Sequence, residues 1–212
     1  MKIFLVSSAI INLMKTKKEN LLLGIIGPGA SGKTEISRHV KEKHGFLYIP
    51  SLTTRPVRKD NTEEYKHVEV DVFESYIKNG KLLEYAFFVE HYYGKLKKDV
   101  EEHLERGDCL YTLTVDRVKK IKKLYNHAKI ICILPEDPIL ETVEKRLRNR
   151  DHDEMYIKKR IKTTKEELKA IETLKNQNLI DHFVKTLETD YHHALKQIDK
   201  VVKHEHKLHI KK

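Results

Sequence analysis

Residues 21–34, LLLGIIGPGASGKT, constrain this chain more than any other stretch. An apolar run leads into a glycine-rich turn, and Lys33 and Thr34 open a segment with helical spacing. Gly27, Gly32, Lys33 and Thr34 fit G-x-x-x-x-G-K-[ST], the P-loop. Gly27, Pro28, Gly29, Ala30, Ser31 and Gly32 therefore read as a cradle for the phosphates of ATP. Glycines let the backbone curl until its N–H groups converge on phosphate oxygens. The helix behind them adds the positive end of its dipole. Lys33 is spaced to reach the β- and γ-phosphates, and the Thr34 hydroxyl to ligate Mg2+.

A strand before the loop and a helix after it point to an α/β domain, and 212 residues suit one such domain with small insertions. The net charge of +10 favours anionic partners, which nucleotides satisfy. Lysines are spread along the whole chain, as on a solvated basic surface. Trp is absent and no RNP-like aromatic pattern occurs, so nucleic acid is not an expected partner. Cys109 and Cys132 lie in apolar, strand-like runs and read as buried reduced thiols, which fits a cytoplasmic protein. Residues 1–13 resemble a signal peptide in pattern but are too short to span a membrane. They read as an upstream extension or mobile tail, with Met14 a natural second start.

Further along, Ile36 and Val40 give the first helix one buried stripe. Phe46–Ile49 reads as a strand ended by Pro50. SLTTRPVR, residues 51–58, then forms a loop at a strand's C-terminal end, where open α/β sheets bind ligands. Arg55 and Arg58 offer bidentate donors for a phosphate. Asp71–Asn79 and Leu96–Arg106 read as helices, each stopped by a glycine. Leu82–Val89, Cys109–Val115 and Ala128–Leu134 read as strands. Asp116–His127, Ile139–Arg150, Tyr156–Asn176 and Tyr191–Val202 read as helices, and Asp181–Thr186 as a last strand. Residues 204–212, with three histidines, read as a solvated basic tail.

The P-loop, SLTTRPVR, Tyr65 and LLEYAFFVEHYYG together resemble the guanylate kinase family. Glu84 lies 19 residues after Tyr65, and Tyr93 nine after Glu84, as the family pattern has them. The resemblance covers roughly residues 21–180. It implies that Ser51, Arg55, Arg58, Tyr65 and Tyr93 hold the phosphate of GMP. Glu84 matches the glutamate that holds the guanine edge, and the chemistry agrees. Guanine N1–H and N2–H2 are adjacent donors, and one carboxylate accepts both. Arg146, Arg150 and Arg160 match arginines that clamp the transferred phosphates from a mobile lid.

Several positions depart from the family pattern. Thr112 and Thr114 stand where acidic residues are usual. Asp116 restores one carboxylate if its strand continues. Lys95 stands where a Ser or Thr donates to guanine O6, and an ammonium can donate there too. Asp151 replaces a glycine, and the loop before Tyr65 is short and lacks glycines. Thr186 is the best positional candidate for the adenine side.

The resemblance implies a P-loop nucleoside-monophosphate-kinase fold. A mostly parallel sheet carries helices on both faces, with a small NMP-binding subdomain over 51–96 and an arginine lid over 148–160. The main domain runs over 14–203. The reaction implied is phosphoryl transfer from Mg·ATP to GMP, by a monomer or homodimer without a membrane. Two other readings stay open. One is the same chemistry on another nucleotide or a sugar phosphate. The other is a catalytically silent module that binds a protein partner.

Overall fold

The computed structural model describes residues 20–57, 64–88, 90–150 and 153–210. Arg58, Asp151, residues 1–13 and most of the loop before Tyr65 lie outside the described residues. Two sheets organise the rest. The main sheet has five strands, all parallel, in the order β2-β7-β1-β8-β9. They are β1 (Leu22–Ile26), β2 (Leu47–Tyr48), β7 (Cys109–Thr112), β8 (Lys129–Pro135) and β9 (His182–Thr186). Strand β1 lies at the centre, with Ile25 beside Thr112 of β7 and Ile26 beside Cys132 of β8.

Strand alternation sends successive β1 side chains to opposite faces, and both faces are covered. Leu22 and Ile26 pack with Tyr111, Ile121, Ile130, Ile171 and Leu174. That face is closed by helices α4 (Val118–Leu124) and α6 (Glu154–Asn176). Leu23 and Ile25 pack with Ile36, Val40, Phe46, Ala194, Ile198 and Val202. Helices α1 (Lys33–His44) and α7 (Tyr191–Ile210) close this side. Gly24, on the Leu22 and Ile26 side, lets Ile130 and Leu113 close over the strand, since a Cβ there would lie 2.8 Å from Ile130 Cδ1 and 2.9 Å from Leu113 Cδ2.

The second sheet, in the order β4-β3-β6-β5, stands apart. It contains β3 (Ser51–Thr53), β4 (Tyr65–His67), β5 (Leu82–Phe88) and β6 (His91–Leu96). Helix α2 (Val70–Lys78) covers it by burying Phe73 against Leu52 and Leu82. Helix α3 (Lys97–Arg106) returns the chain to the main sheet, and α5 (Ile139–Arg148) leads to α6. No helix of the described residues is long and apolar enough to cross a membrane.

Two elements end elsewhere than the sequence suggests. Strand β7 stops at Thr112, and the chain turns through a 3-10 segment, Val115–Arg117, before α4. The histidine-rich segment is not a solvated tail as far as Ile210. It continues α7, because the body supplies partners for it. Glu205 is buried, with His182 Nε2 at 2.6 Å and Lys129 Nζ at 3.1 Å, and His206 stacks on Phe46 with ring centroids 5.2 Å apart.

Candidate active site

Between the two sheets lies a cleft of about 870 Å3, within the range that ligand pockets span. Its walls come from the P-loop, the second sheet, the turn after β7, and α6. Gly27 and Lys33 form the P-loop side. Gly27 has φ +144°, and a Cβ there would lie 2.1 Å from the Ile133 carbonyl oxygen. Gly32 precedes α1 with φ +91° and provides no side-chain cap. The first N–H groups of α1 thus keep their donors for a ligand, as an anion site needs.

Lys33 folds back into this loop. Its ammonium donates to the carbonyls of Gly27 at 2.9 Å and Pro28 at 2.8 Å. Burial pushes its pKa down to about 8, against the opposing pull of Glu167. The Ser31 hydroxyl is buried with no hydrogen-bond partner among the described residues. Arg160 lies over the loop, so near that a Cβ on Gly29 would fall 1.8 Å from its Nη2. Glu167, two turns further along α6, faces the Gly29 N–H, which favours its charged form, while its Oε2 is buried with no hydrogen-bond partner among the described residues. Burial raises its carboxyl, against Arg160 and Lys33. The loop already holds one oxygen of an acid, which is the chemistry of an anion nest. No motif in the sequence marks Glu167. Its signal is the seven-residue step from Arg160, which repeats a helix face.

Thr34 donates its hydroxyl to Glu64 Oε2 at 3.3 Å. Burial raises the Glu64 carboxyl, against that hydrogen bond. A hydroxyl and a carboxylate are hard oxygen donors, the set that suits Mg2+. Nothing local in the sequence pairs Glu64 with a residue thirty positions earlier.

Across the cleft, Ser51, Arg55, Tyr65 and Tyr93 converge. Arg55 places its guanidinium 5.0 Å from the centre of the Tyr65 ring, and that ring meets Tyr93 edge-on at 6.2 Å. The Arg55 Nε is buried and has no partner among the described residues. Its backbone is fixed on both sides. Arg55 N donates to Thr53 Oγ1 at 3.1 Å, and His67 Nδ1 donates to Arg55 O at 2.6 Å. Glu84 lines the same cleft at 7% exposure. Burial raises its pKa, opposed by Lys95 and Arg117. Thr112, Thr114 and Asp116 also line it. Asp116 arrives by the 3-10 turn rather than by a longer strand, with Arg117 Nε at 3.0 Å.

Four expected site residues lie elsewhere. Lys95 is fully buried and does not face the cleft. Its ammonium donates to Ile49 O at 2.6 Å and Ser51 Oγ at 2.8 Å, above the Tyr111 ring at 5.0 Å. Burial pushes its pKa down to about 7, against the pull of Glu84. Donation to a guanine O6 is therefore not its role in this geometry. Arg146 also lies off the cleft. It bonds Glu188 Oε1 at 2.5 Å, Ala30 O at 3.0 Å and Thr186 Oγ1 at 3.0 Å, bracing the P-loop. Arg150 is exposed, so Arg160 alone of the three arginines reaches the cleft. Thr186 is fully buried, and its hydroxyl donates to Ser31 O at 3.0 Å, leaving it a brace rather than a base contact.

A parallel sheet with helices on both faces, a P-loop after its central strand and a second sheet across a cleft define the P-loop nucleoside-monophosphate-kinase fold. Comparison with known proteins narrows this. The family model described as Guanylate kinase matches residues 19–203. The guanylate kinase of Gloeobacter violaceus is 33% identical over 172 residues, covering 79% of this chain and 83% of the relative. That of Rickettsia bellii is 31% identical over 198 residues, covering 91% and 98%. The crystal structure of guanylate kinase from Anaplasma phagocytophilum superposes with a TM-score of 0.63 at 20% identity, covering 89% of this chain and 87% of that one. The chain belongs to the guanylate kinase family.

Proposed function

We propose that this protein transfers the γ-phosphoryl group of ATP to GMP, giving ADP and GDP. One observation carries the reading: a single cleft is lined by the P-loop lysine on one side and by Arg55 and the Glu84 carboxylate on the other. Donor phosphates belong on the loop, with Lys33 and Arg160 neutralising the transferred group. The acceptor phosphate belongs at Ser51, Arg55, Tyr65 and Tyr93, where the unpaired Arg55 Nε awaits an oxygen. Arg58 completes that set by its place in the motif. Guanine belongs at Glu84, with Asp116 as a second acceptor. Thr34 and Glu64 would hold Mg2+, which supplies charge neutralisation on the β- and γ-phosphates when bound. No protein nucleophile is needed, since catalysis is alignment plus electrostatics in a site that excludes water. Such an enzyme works where ATP is, in the cytoplasm.

A coupled ADP-release assay with GMP as acceptor tests this. The wild type should turn over, and Lys33→Ala should lose activity while keeping its circular dichroism. Equal turnover in the two proteins would end the kinase reading.

A further inference from the structure

Outside the cleft lining, helices α1 and α7 meet along a seam whose apolar part is Val40, Ala194, Ile198 and Val202. At the rim of that seam, Asp199 of α7 receives two imidazoles from α1. His39 Nε2 lies 2.8 Å from Asp199 Oδ1, and His44 Nε2 lies 2.7 Å from the same oxygen. The three atoms all lie within 4.8 Å of one another, the one such histidine-containing trio among the described residues. The rings meet edge-on, at 73° with centroids 6.2 Å apart, so their nitrogens approach from different directions. Lys43 Nζ binds the other carboxylate oxygen, Oδ2, at 2.6 Å. That contact orients the carboxylate from outside and leaves Oδ1 to the histidines, the arrangement by which outer partners fix metal ligands.

We infer that His39, His44 and Asp199 form a binding site for a borderline transition-metal ion, Zn2+ or its analogues Co2+ and Ni2+. The donor set is two imidazoles and one carboxylate, which suits these ions and not Mg2+ or Ca2+. Three protein ligands leave the remaining position to water, and the site is open enough for it, with side-chain exposures of 19%, 10% and 15%. Ligand bonds near 2.0–2.2 Å in a tetrahedral arrangement require the present contacts to open by about 0.5 Å. The protons now shared between each Nε2 and Oδ1 move to Nδ1 or to solvent as the metal takes their place. Nothing is oxidised or reduced. The ion would tie the helix that begins at Lys33 to the C-terminal helix, and so stabilise the folded chain by mass action.

The test uses the full chain and Co2+ as the probe. One equivalent should give visible d–d bands of a four- or five-coordinate site, and Zn2+ should displace it and raise the melting temperature. His39→Ala and Asp199→Asn should each weaken Co2+ binding by at least about tenfold. His206→Ala, seven residues further along α7, should bind as wild type does. Circular dichroism and GMP-dependent turnover report whether each variant is folded. Undetectable Co2+ and Zn2+ binding by the wild type would leave only a hydrogen-bond network and overturn the inference. Folded His39→Ala and Asp199→Asn variants that bind as tightly as wild type would overturn it too, by placing the ion on other histidines.

Discussion

The Lys95 ammonium donates to the Ser51 hydroxyl at 2.8 Å from beneath the acceptor loop. A cation thus sits under the start of the segment that carries Arg55, in a position with no access to solvent. Its ordinary pKa is 10.5, and burial brings it to about 7. Between those values the unfolded chain holds a proton that the folded chain has released. Folding stability must then rise with pH across that window. Urea unfolding at pH 7 and pH 9 should show the wild type gaining stability, with Lys33 adding the same sign above about 8. Lys95→Met should show a smaller gain, whatever its absolute stability. An unchanged gain would place the Lys95 pKa near its ordinary value.

Arg55 is an acceptor-side cation whose Nε is buried with no hydrogen-bond partner among the described residues. Its removal should cost a charge-assisted hydrogen bond of about 1.5–3 kcal/mol. Arg55→Ala should therefore raise the KM for GMP by about ten- to a hundredfold and leave the KM for ATP near wild type. Equal effects on the two substrates would contradict the acceptor assignment.

Gly27 and Gly29 of the P-loop should fail differently. At Gly27 a Cβ meets a backbone oxygen, and φ is +144°. Gly27→Ala should lose about 1–3 kcal/mol of stability. At Gly29 the Cβ meets the mobile end of Arg160. Gly29→Ala should melt near wild type but lose kcat, because the guanidinium is displaced from the loop. Melting curves and turnover on both variants check this. Equal instability would mean that Arg160 cannot yield.

Glu64 shares a hydrogen bond with the Thr34 hydroxyl. If the two hold Mg2+, Glu64→Gln should raise the Mg2+ concentration for half-maximal turnover by about tenfold, an outcome expected of a lost ligand or its support. Mg2+ activation curves at fixed ATP and GMP test it. An unchanged curve would remove Glu64 from the metal site.

What was legible in the sequence followed local rules. The strand before Gly27, the helix after Gly32, and the ligand edge at Ser51–Arg55 all come from short-range patterns. Lys95 shows where such patterns stop. Its spacing from Tyr93 puts both on one face of β6, but the direction of the ammonium is set by Ile49 O and Ser51 Oγ, more than forty positions away. Asp116 shows the reverse. Its strand ends early, yet a 3-10 turn delivers the carboxylate to the cleft. The motif around Arg146 implies a phosphate clamp because it lies beside a lid. Glu188 and the Ala30 carbonyl hold Arg146 instead, and both are distant in sequence. The helical path of residues 204–210 is hidden for the same reason, since the ion-pair partners of the buried Glu205, His182 and Lys129, are distant in sequence.

Glu84 bears the central claim, that this cleft accepts guanine. The decisive measurement is kcat/KM for GMP and for AMP, in the wild type and in Glu84→Gln. A site whose buried acceptor needs a donor pair rejects an analogue lacking it by about 10^4–10^5-fold. The wild type should prefer GMP on that scale. Glu84→Gln turns one acceptor into a donor facing a donor, so its use of GMP should fall by about a hundredfold or more with the KM for ATP unchanged. A wild type indifferent between GMP and AMP, or a Glu84→Gln variant that keeps the full preference, would contradict the assignment.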